Sequence, residues 1–207
     1  MRKFYLSIFV LLPFFISAQQ FRGGIMAGFV SSQVAGDMYA GFDKAGLSGG
    51  FFTSLSLDPK SAIQMELYYV QKGSRYNANI DQPDFLNYKL RLNYADLPLL
   101  YQYKFRGFTF EGGLSASFLL GSYEEKDYYE IDLNEWKSVC FNSVIGIRFY
   151  ITPSWNVAVR TVNSINSIRK NPVEGNVRRY GNKYGEYNDV LQLSLAYQFN
   201  LSKMAKQ

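Results

Sequence analysis

At 207 residues the chain holds one domain and little more. Its single cysteine, Cys140, excludes an internal disulfide and reads as a small buried side chain. The absence of histidine excludes Ser-His-Asp and Cys-His catalysis by this chain alone, and His-based zinc sites with them. Aromatics make up 17%, with 17 Tyr and 17 Phe. They suit pleated strands and the membrane–water boundary.

Taken in order, the N-terminus opens with Met1-Arg2-Lys3, an apolar run from Phe4 to Ile16, and Ser17-Ala18-Gln19. A basic start, a short apolar core and a small residue before the cut predict a secretory signal over 1–18, cleaved after Ala18. The run is too short to span a bilayer, which takes about 20 apolar residues. No Cys follows the cut, which argues against a lipid anchor. Of 22 basic residues cleavage removes Arg2 and Lys3, leaving 20 against 17 acidic ones, a balance of +3 too mild to point to nucleic acid.

Residues 19–207 carry alternation of period two rather than long apolar runs. Residues 21–33 place Phe21, Ile25, Ala27 and Phe29 on one face, and residues 45–57 place Leu47, Phe51, Leu55 and Leu57. In 62–72, Ile63, Met65, Leu67 and Tyr69 oppose Gln64, Glu66 and Tyr68. Residues 88–105 change parity: Tyr88, Leu90, Leu92 and Tyr94, then Leu97, Leu99, Tyr101, Tyr103 and Phe105. A β-bulge across Ala95-Asp96, next to Pro98, accounts for that change. Residues 108–120, 139–151, 155–165 and 191–201 complete the set. In these, Phe118, Phe141, Ile145, Val157 and Leu193 share the apolar faces, and Ser115, Asn142, Arg148 and Gln192 the polar ones. Successive side chains of a strand point to opposite faces, so each segment has one greasy face and one small or polar face.

The connections sort by length. Short turns lie at Leu57-Asp58-Pro59-Lys60-Ser61, at Arg106-Gly107 and at Thr152-Pro153-Ser154; long polar ones lie near 34–44, 74–87, 123–137 and 166–187. Eight strands need seven connections, and these alternate long and short from the first. The expectation is an all-β, eight-stranded antiparallel up-and-down transmembrane β-barrel over 19–207, with short periplasmic turns and four long external loops. Aromatic girdles are expected from Phe105, Phe108, Tyr150 and Trp155 at one end and Tyr68, Tyr69, Tyr88, Tyr94 and Tyr123 at the other. A soluble barrel would instead turn the apolar face inward.

Two stretches carry a family resemblance. Gln64-Met65-Glu66-Leu67-Tyr68-Tyr69-Val70-Gln71-Lys72-Gly73-Ser74 and Leu92-Asn93-Tyr94-Ala95-Asp96-Leu97-Pro98-Leu99-Leu100 resemble stretches of the PorT-like outer-membrane barrels of Bacteroidetes, and Gly46-Leu47-Ser48-Gly49-Gly50-Phe51 fits as well. The resemblance spans essentially the whole of 19–207. It implies a small barrel in the outer membrane, in a family whose best-known member is implicated in secretion of surface proteins. It carries over no catalytic residue.

The inward faces are expected to hold Glu66, Lys72, Lys89, Arg91, Lys104, Glu111, Arg148 and Arg160. Charges in a lumen this narrow must pair. Glu66 and Glu111 with Arg148 and Arg160 form the candidate network, either as a structural plug or as a gated solute path. Glu66 and Glu111 as general acid and base would need a cleft and a nucleophile or water, and neither is evident. Gly23-Gly24, Gly49-Gly50 and Gly112-Gly113 lack the helix and Lys of a phosphate loop.

The loops differ in charge. Residues 123–137 hold 6 acidic against 2 basic side chains, and residues 166–187 hold 5 basic against 2 acidic. Adjacent on the rim, they can pair into a cap. Otherwise the basic loop meets anionic lipopolysaccharide and the acidic loop a divalent cation. Tyr128, Tyr129, Arg178, Arg179, Tyr180, Lys183 and Tyr184 are the candidate partner-binding residues.

The reading is a non-enzymatic outer-membrane barrel, exported by a cleaved signal. Its role would be membrane anchor, surface-binding protein or component of an envelope or secretion assembly. No catalytic, cofactor or metal site is assigned. Expected partners are outer-membrane lipid and lipopolysaccharide, the barrel-assembly machinery during insertion, and an envelope or secretion protein. A narrow pore for small solutes and a soluble lipocalin-like carrier are the alternatives. A barrel enzyme acting on lipid or peptide would need an unusual, His-free site.

Overall fold

The computed structural model describes residues 21–37, 39, 41–77, 87–131, 135–171, 177–181 and 184–199. The expected signal over 1–18, Lys183 and Leu201 lie outside them. Nine strands follow in order: β1 (Phe21–Ala35), β2 (Lys44–Ser56), β3 (Ser61–Tyr76), β4 (Tyr88–Phe105), β5 (Phe108–Lys126), β6 (Tyr129–Glu130), β7 (Val139–Tyr150), β8 (Trp155–Ser164) and β9 (Tyr187–Gln198). Two-residue β6 only folds back on the end of β5. The eight long strands pair antiparallel with their chain neighbours, and β1 pairs with β9 from Gly24↔Gln198 to Ala35↔Tyr187. The sheet therefore closes into an up-and-down barrel with no free edge on the long strands.

Short connections at 57–60, 106–107 and 151–154 alternate with long ones at 36–43, 77–87, 127–138 and 165–186. In barrels of this kind the short side is periplasmic. Each short turn has a local cause. Arg106 and Gly107 take φ of 47° and 87°, the two left-handed residues of a tight hairpin. Asp58 Oδ1 accepts the N–H groups of Lys60 at 2.7 Å and Ser61 at 2.8 Å. Thr152 Oγ1 accepts the N–H of Trp155 at 2.9 Å.

The alternation resolves into a wall. Phe29 is 69% exposed and Ile145 66%, and Phe51, Leu67, Leu99, Leu114, Phe141, Val159 and Leu193 face the same way. Their partners along each strand are buried, among them Gln64, Glu66, Ser115, Asn142, Arg148, Asn156, Arg160 and Gln192. The apolar face is thus outside and the polar face inside, the reverse of a water-soluble barrel, and the lipocalin-like carrier falls on this point.

Three expectations need correction. β4 carries no bulge at Ala95-Asp96: its even-numbered residues stay buried from Tyr88 to Gln102. What changes is the lumen, which is lined by Leu90, Leu92 and Tyr94 toward the long loops and is polar below. The one register shift in this region lies opposite, between Asn93↔Gly121 and Tyr94↔Leu119, where β5 inserts Leu120 unpaired. Lys89 and Arg91 consequently point outward, not into the lumen, and Lys104 is exposed at the periplasmic mouth. Tyr68, Tyr88 and Tyr94 are buried inside and belong to no girdle, whereas Phe105, Phe108 and Trp155 do face outward near the short turns.

Candidate functional site: the lumen charges and the external mouth

Four strands contribute one charge each to the middle of the lumen: Glu66 from β3, Glu111 from β5, Arg148 from β7 and Arg160 from β8. The inward parity of each strand dictates this. Arg160 is 2% exposed. Its Nη1 and Nη2 donate to the two oxygens of Glu66 at 2.6 and 2.7 Å, and its Nε donates to Glu111 Oε1. Arg148 Nη2 lies 3.1 Å from Glu111 Oε2 and 3.7 Å from Glu66 Oε1. Gln102 Nε2 donates to Glu111 Oε2 at 3.1 Å and to Gln64 Oε1 at 3.0 Å, and that oxygen also accepts from Arg148 Nη1 at 3.3 Å. Two carboxylates and two guanidiniums sum to zero. The bidentate fork on Glu66 needs the planar geometry of Arg and not Lys. Gly146 leaves the room: a Cβ there would stand 2.7 Å from Arg160 Cγ.

A second tier sits nearer the loops. Lys72 Nζ lies 2.7 Å from Asp96 Oδ2, donates to Ser117 Oγ at 3.0 Å, and stands 5.1 Å from the centre of the Tyr94 ring. Asn142 Nδ2 donates to the same Ser117 oxygen at 2.7 Å. Lys72 is where sequence reasoning places it, but its partner Asp96 was missed, since it was read as the point where parity turns. Val34, Val70, Leu90, Leu92, Cys140 and Val190 are buried in one apolar cluster on the inward faces of the strands.

At the external mouth the acidic and basic loops join. Trp136 and Arg169 form an antiparallel bridge, with Lys137 N donating to Ile168 O at 2.8 Å and Lys170 N to Glu135 O at 2.7 Å. Arg169 reaches Glu135 at 2.7 Å, Glu186 at 3.0 Å and Glu124 at 3.2 Å, and its guanidinium lies 4.2 Å from the Trp136 ring centre. Tyr88 donates its hydroxyl to Glu124 at 2.9 Å. Burial pushes the Glu186 carboxyl above its usual range against the pull of Arg169. On the next loop burial raises Asp37 to about 6. Nothing in local spacing announces Arg169 as the centre of this clasp; its loop's excess of basic residues was the only signal.

The candidate partner-binding residues divide. Tyr128 is 81% and Tyr129 78% exposed, at the tip of the β5–β6 hairpin, and Tyr180, Arg178 and Tyr184 are exposed on the last loop. Arg178 stacks over Tyr184 at 4.5 Å. Arg179 is committed inward: it grips Asp189 at 2.6 and 2.8 Å and lies over Tyr187. At the opposite end a cavity of about 770 Å³ opens to the periplasmic side, lined by Arg22, Ser54, Lys60, Gln102, Lys104 and Tyr150 among others.

A closed wall of this kind, apolar outside and ion-paired inside, has a match in sequence. Residues 17–170 fit the model of the outer membrane protein beta-barrel domain. The chain belongs to this family. No curated protein matches the sequence. Among solved structures the barrel is similar to Neisserial surface protein A (TM-score 0.56, 9% identity, 86% of this chain and 97% of that one). It is also similar to Ail, the attachment invasion locus protein of Yersinia pestis, solved with the heparin analogue sucrose octasulfate (TM-score 0.53, 11% identity, 87% of this chain and 99% of that one). At such identities the likeness is one of fold. The protein is an eight-stranded outer-membrane barrel.

Proposed function

We propose that this outer-membrane barrel is a non-conducting, non-enzymatic anchor that presents its external loops to a partner in an envelope or secretion assembly. The observation that carries the reading is the filled lumen. Two ion-paired tiers and an apolar layer stack between the periplasmic cavity and the Arg169 clasp. A lumen so filled serves as a rigid post, and its interaction surface is the rim, where Tyr128, Tyr129 and Tyr180 are exposed. The resemblance of Gln64–Ser74 and Leu92–Leu100 to PorT-like barrels supports a secretion assembly as the setting. Export by a cleaved signal and insertion by the barrel-assembly machinery go with that reading.

Planar-bilayer recording of the refolded protein tests it. The expected result is no steady conductance. A stable open level would instead favour the narrow pore, for which the periplasmic cavity reaching Gln102 is the specific observation. In that event Arg148→Ala, which removes a side chain held through Gln64 to the cavity-lining Gln102, would raise the open level further.

A further inference from the structure

The outward course of β3, β4 and β5 toward the loops crosses from apolar to charged in order. Leu67 and Tyr69 on β3, Leu97 on β4 and Phe118 on β5 belong to the apolar wall. A polar layer follows: Gln71 Nε2 donates to the Tyr69 hydroxyl at 3.0 Å, and that hydroxyl donates to Asn93 Oδ1 at 3.0 Å. Such a layer marks where hydrocarbon ends. Beyond it the same outward face carries Arg91, then Lys89 and Arg75. Arg91 lies opposite Gly73, and Lys89 lies directly opposite Arg75. With a rise of about 3.4 Å per residue and a tilt of about 45°, Arg91 stands about 5 Å and Lys89 about 10 Å above Asn93. The headgroup layer is about 5–8 Å thick, and long basic side chains bend back into it.

We propose that Arg75, Lys89 and Arg91 form a binding site for the phosphate-bearing headgroup of an outer-leaflet lipid. Like charges directly opposite on neighbouring strands repel, and an anion between Arg75 and Lys89 removes the repulsion. The Tyr123 ring positions the other flank, with Lys89 at 5.4 Å and Arg91 at 5.5 Å from its centre. The described carboxylates nearby are Glu125, directly opposite Lys89 across β4 and β5, and Glu130, opposite Glu125 across β5 and β6; Glu125 also receives the Tyr123 hydroxyl at 2.5 Å. Glu125 offsets one charge, Lys89, while Arg75 and Arg91 have no carboxylate among their described register partners, so the patch keeps an excess of positive charge toward the membrane surface. The bulge at Leu120 is part of the device. It flips the parity of β5 so that Tyr123 rather than Glu124 faces outward beside Arg91.

The test refolds the protein into phosphatidylcholine bilayers doped with diphosphorylated lipid A or with its dephosphorylated form. Lipid retained per barrel after detergent extraction is then counted by native mass spectrometry. One variant combines Arg75→Gln, Lys89→Gln and Arg91→Gln. A control with the same charge change combines Arg22→Gln, Lys60→Gln and Lys104→Gln at the periplasmic mouth. A basic residue near an anionic surface is worth roughly five-fold in binding, so retention of the phosphorylated lipid falls about 100-fold in the first variant. It stays within about three-fold in the control, and the dephosphorylated lipid is not retained. Equal retention of the two lipids, retention unchanged in the first variant, or equal losses in both variants overturns the site. Displacement by millimolar inorganic phosphate overturns it as a lipid site. A heat-modifiability gel establishes that each variant is folded. If the triple variant is not, Arg91→Gln alone is read the same way, with about a five-fold loss expected.

Discussion

Replacing Glu66 by glutamine removes one charge from a tetrad that is neutral as built. Glu66 holds both terminal nitrogens of Arg160, at 2.6 and 2.7 Å, and lies 3.7 Å from Arg148. Glutamine keeps the shape but supplies one acceptor and one donor, so an N–H group would face a guanidinium and the lumen would carry an unbalanced positive charge. Breaking a buried pair by removing one partner costs about 3–5 kcal/mol. The companion Arg160→Met leaves two carboxylates to Arg148 alone and costs a similar amount. Removing both at once costs less than the sum of the two, because neither orphan remains; the coupling expected for groups in contact is about 0.5–3 kcal/mol or somewhat more here. The assay is urea unfolding in detergent micelles or thin bilayers, followed by the gel shift between folded and unfolded forms. If Glu66→Gln costs under about 1 kcal/mol, or the double variant is simply additive, water screens these charges. The plugged-lumen reasoning then fails.

Three further outcomes follow from the same geometry. Gly146→Ala places a methyl group 2.7 Å from Arg160 Cγ and 3.2 Å from Glu111 Oε1, so it destabilises the barrel by about 1–3 kcal/mol in the same unfolding assay. Arg169→Ala releases three carboxylates from one partner; limited proteolysis should then cut residues 127–138 and 165–186 at least ten-fold faster while the strands stay intact. Asp37 is raised from 3.8 to about 6 by burial, so the folded loop binds its proton more tightly than the unfolded chain does. Loop stability is therefore lowest above pH 6 and rises as pH falls from about 6 to about 4; Glu186, raised in the same direction, adds to the trend, and Asp37→Asn reduces it, as read by proteolysis of 36–43 across that range.

The wall of the barrel was legible because the bilayer imposes one rule on every strand: alternate residues must be apolar. Ile63-Met65-Leu67 and Ile145-Ile147-Phe149 announce it with no tertiary knowledge. The rule binds only the outside, and there the reading of β4 went astray. Leu90, Leu92 and Tyr94 are apolar because the upper lumen is packed, so hydrophobicity no longer labels the lipid face. The true slip hides within Phe118-Leu119-Leu120, where three apolar residues in succession mask a change of parity. Site residues divide similarly. Glu66, Glu111, Arg148 and Arg160 could be grouped because inward charges in a narrow tube have few partners to choose from. The Arg169 clasp joins residues 17, 34 and 45 positions apart through two irregular loops, and no periodicity encodes such a meeting. Asp96 went unrecognised for a simpler reason: its inward parity was assigned to the wrong side of a supposed bulge.

The distribution of the tetrad along the chain has a consequence for biogenesis. Both of its carboxylates lie in the first five strands and both of its guanidiniums in the hairpin of β7 and β8, with Glu66 and Arg160 94 residues apart. A chain that has emerged only as far as β5 presents Glu66 and Glu111 with neither of these cations to neutralise them, and uncompensated charges at that depth are costly to place in hydrocarbon. The half-made sheet is thereby discouraged from entering the bilayer early. The last third of the chain brings the counter-charges together with the strands that seal the wall, so the lumen reaches charge balance only as the barrel closes.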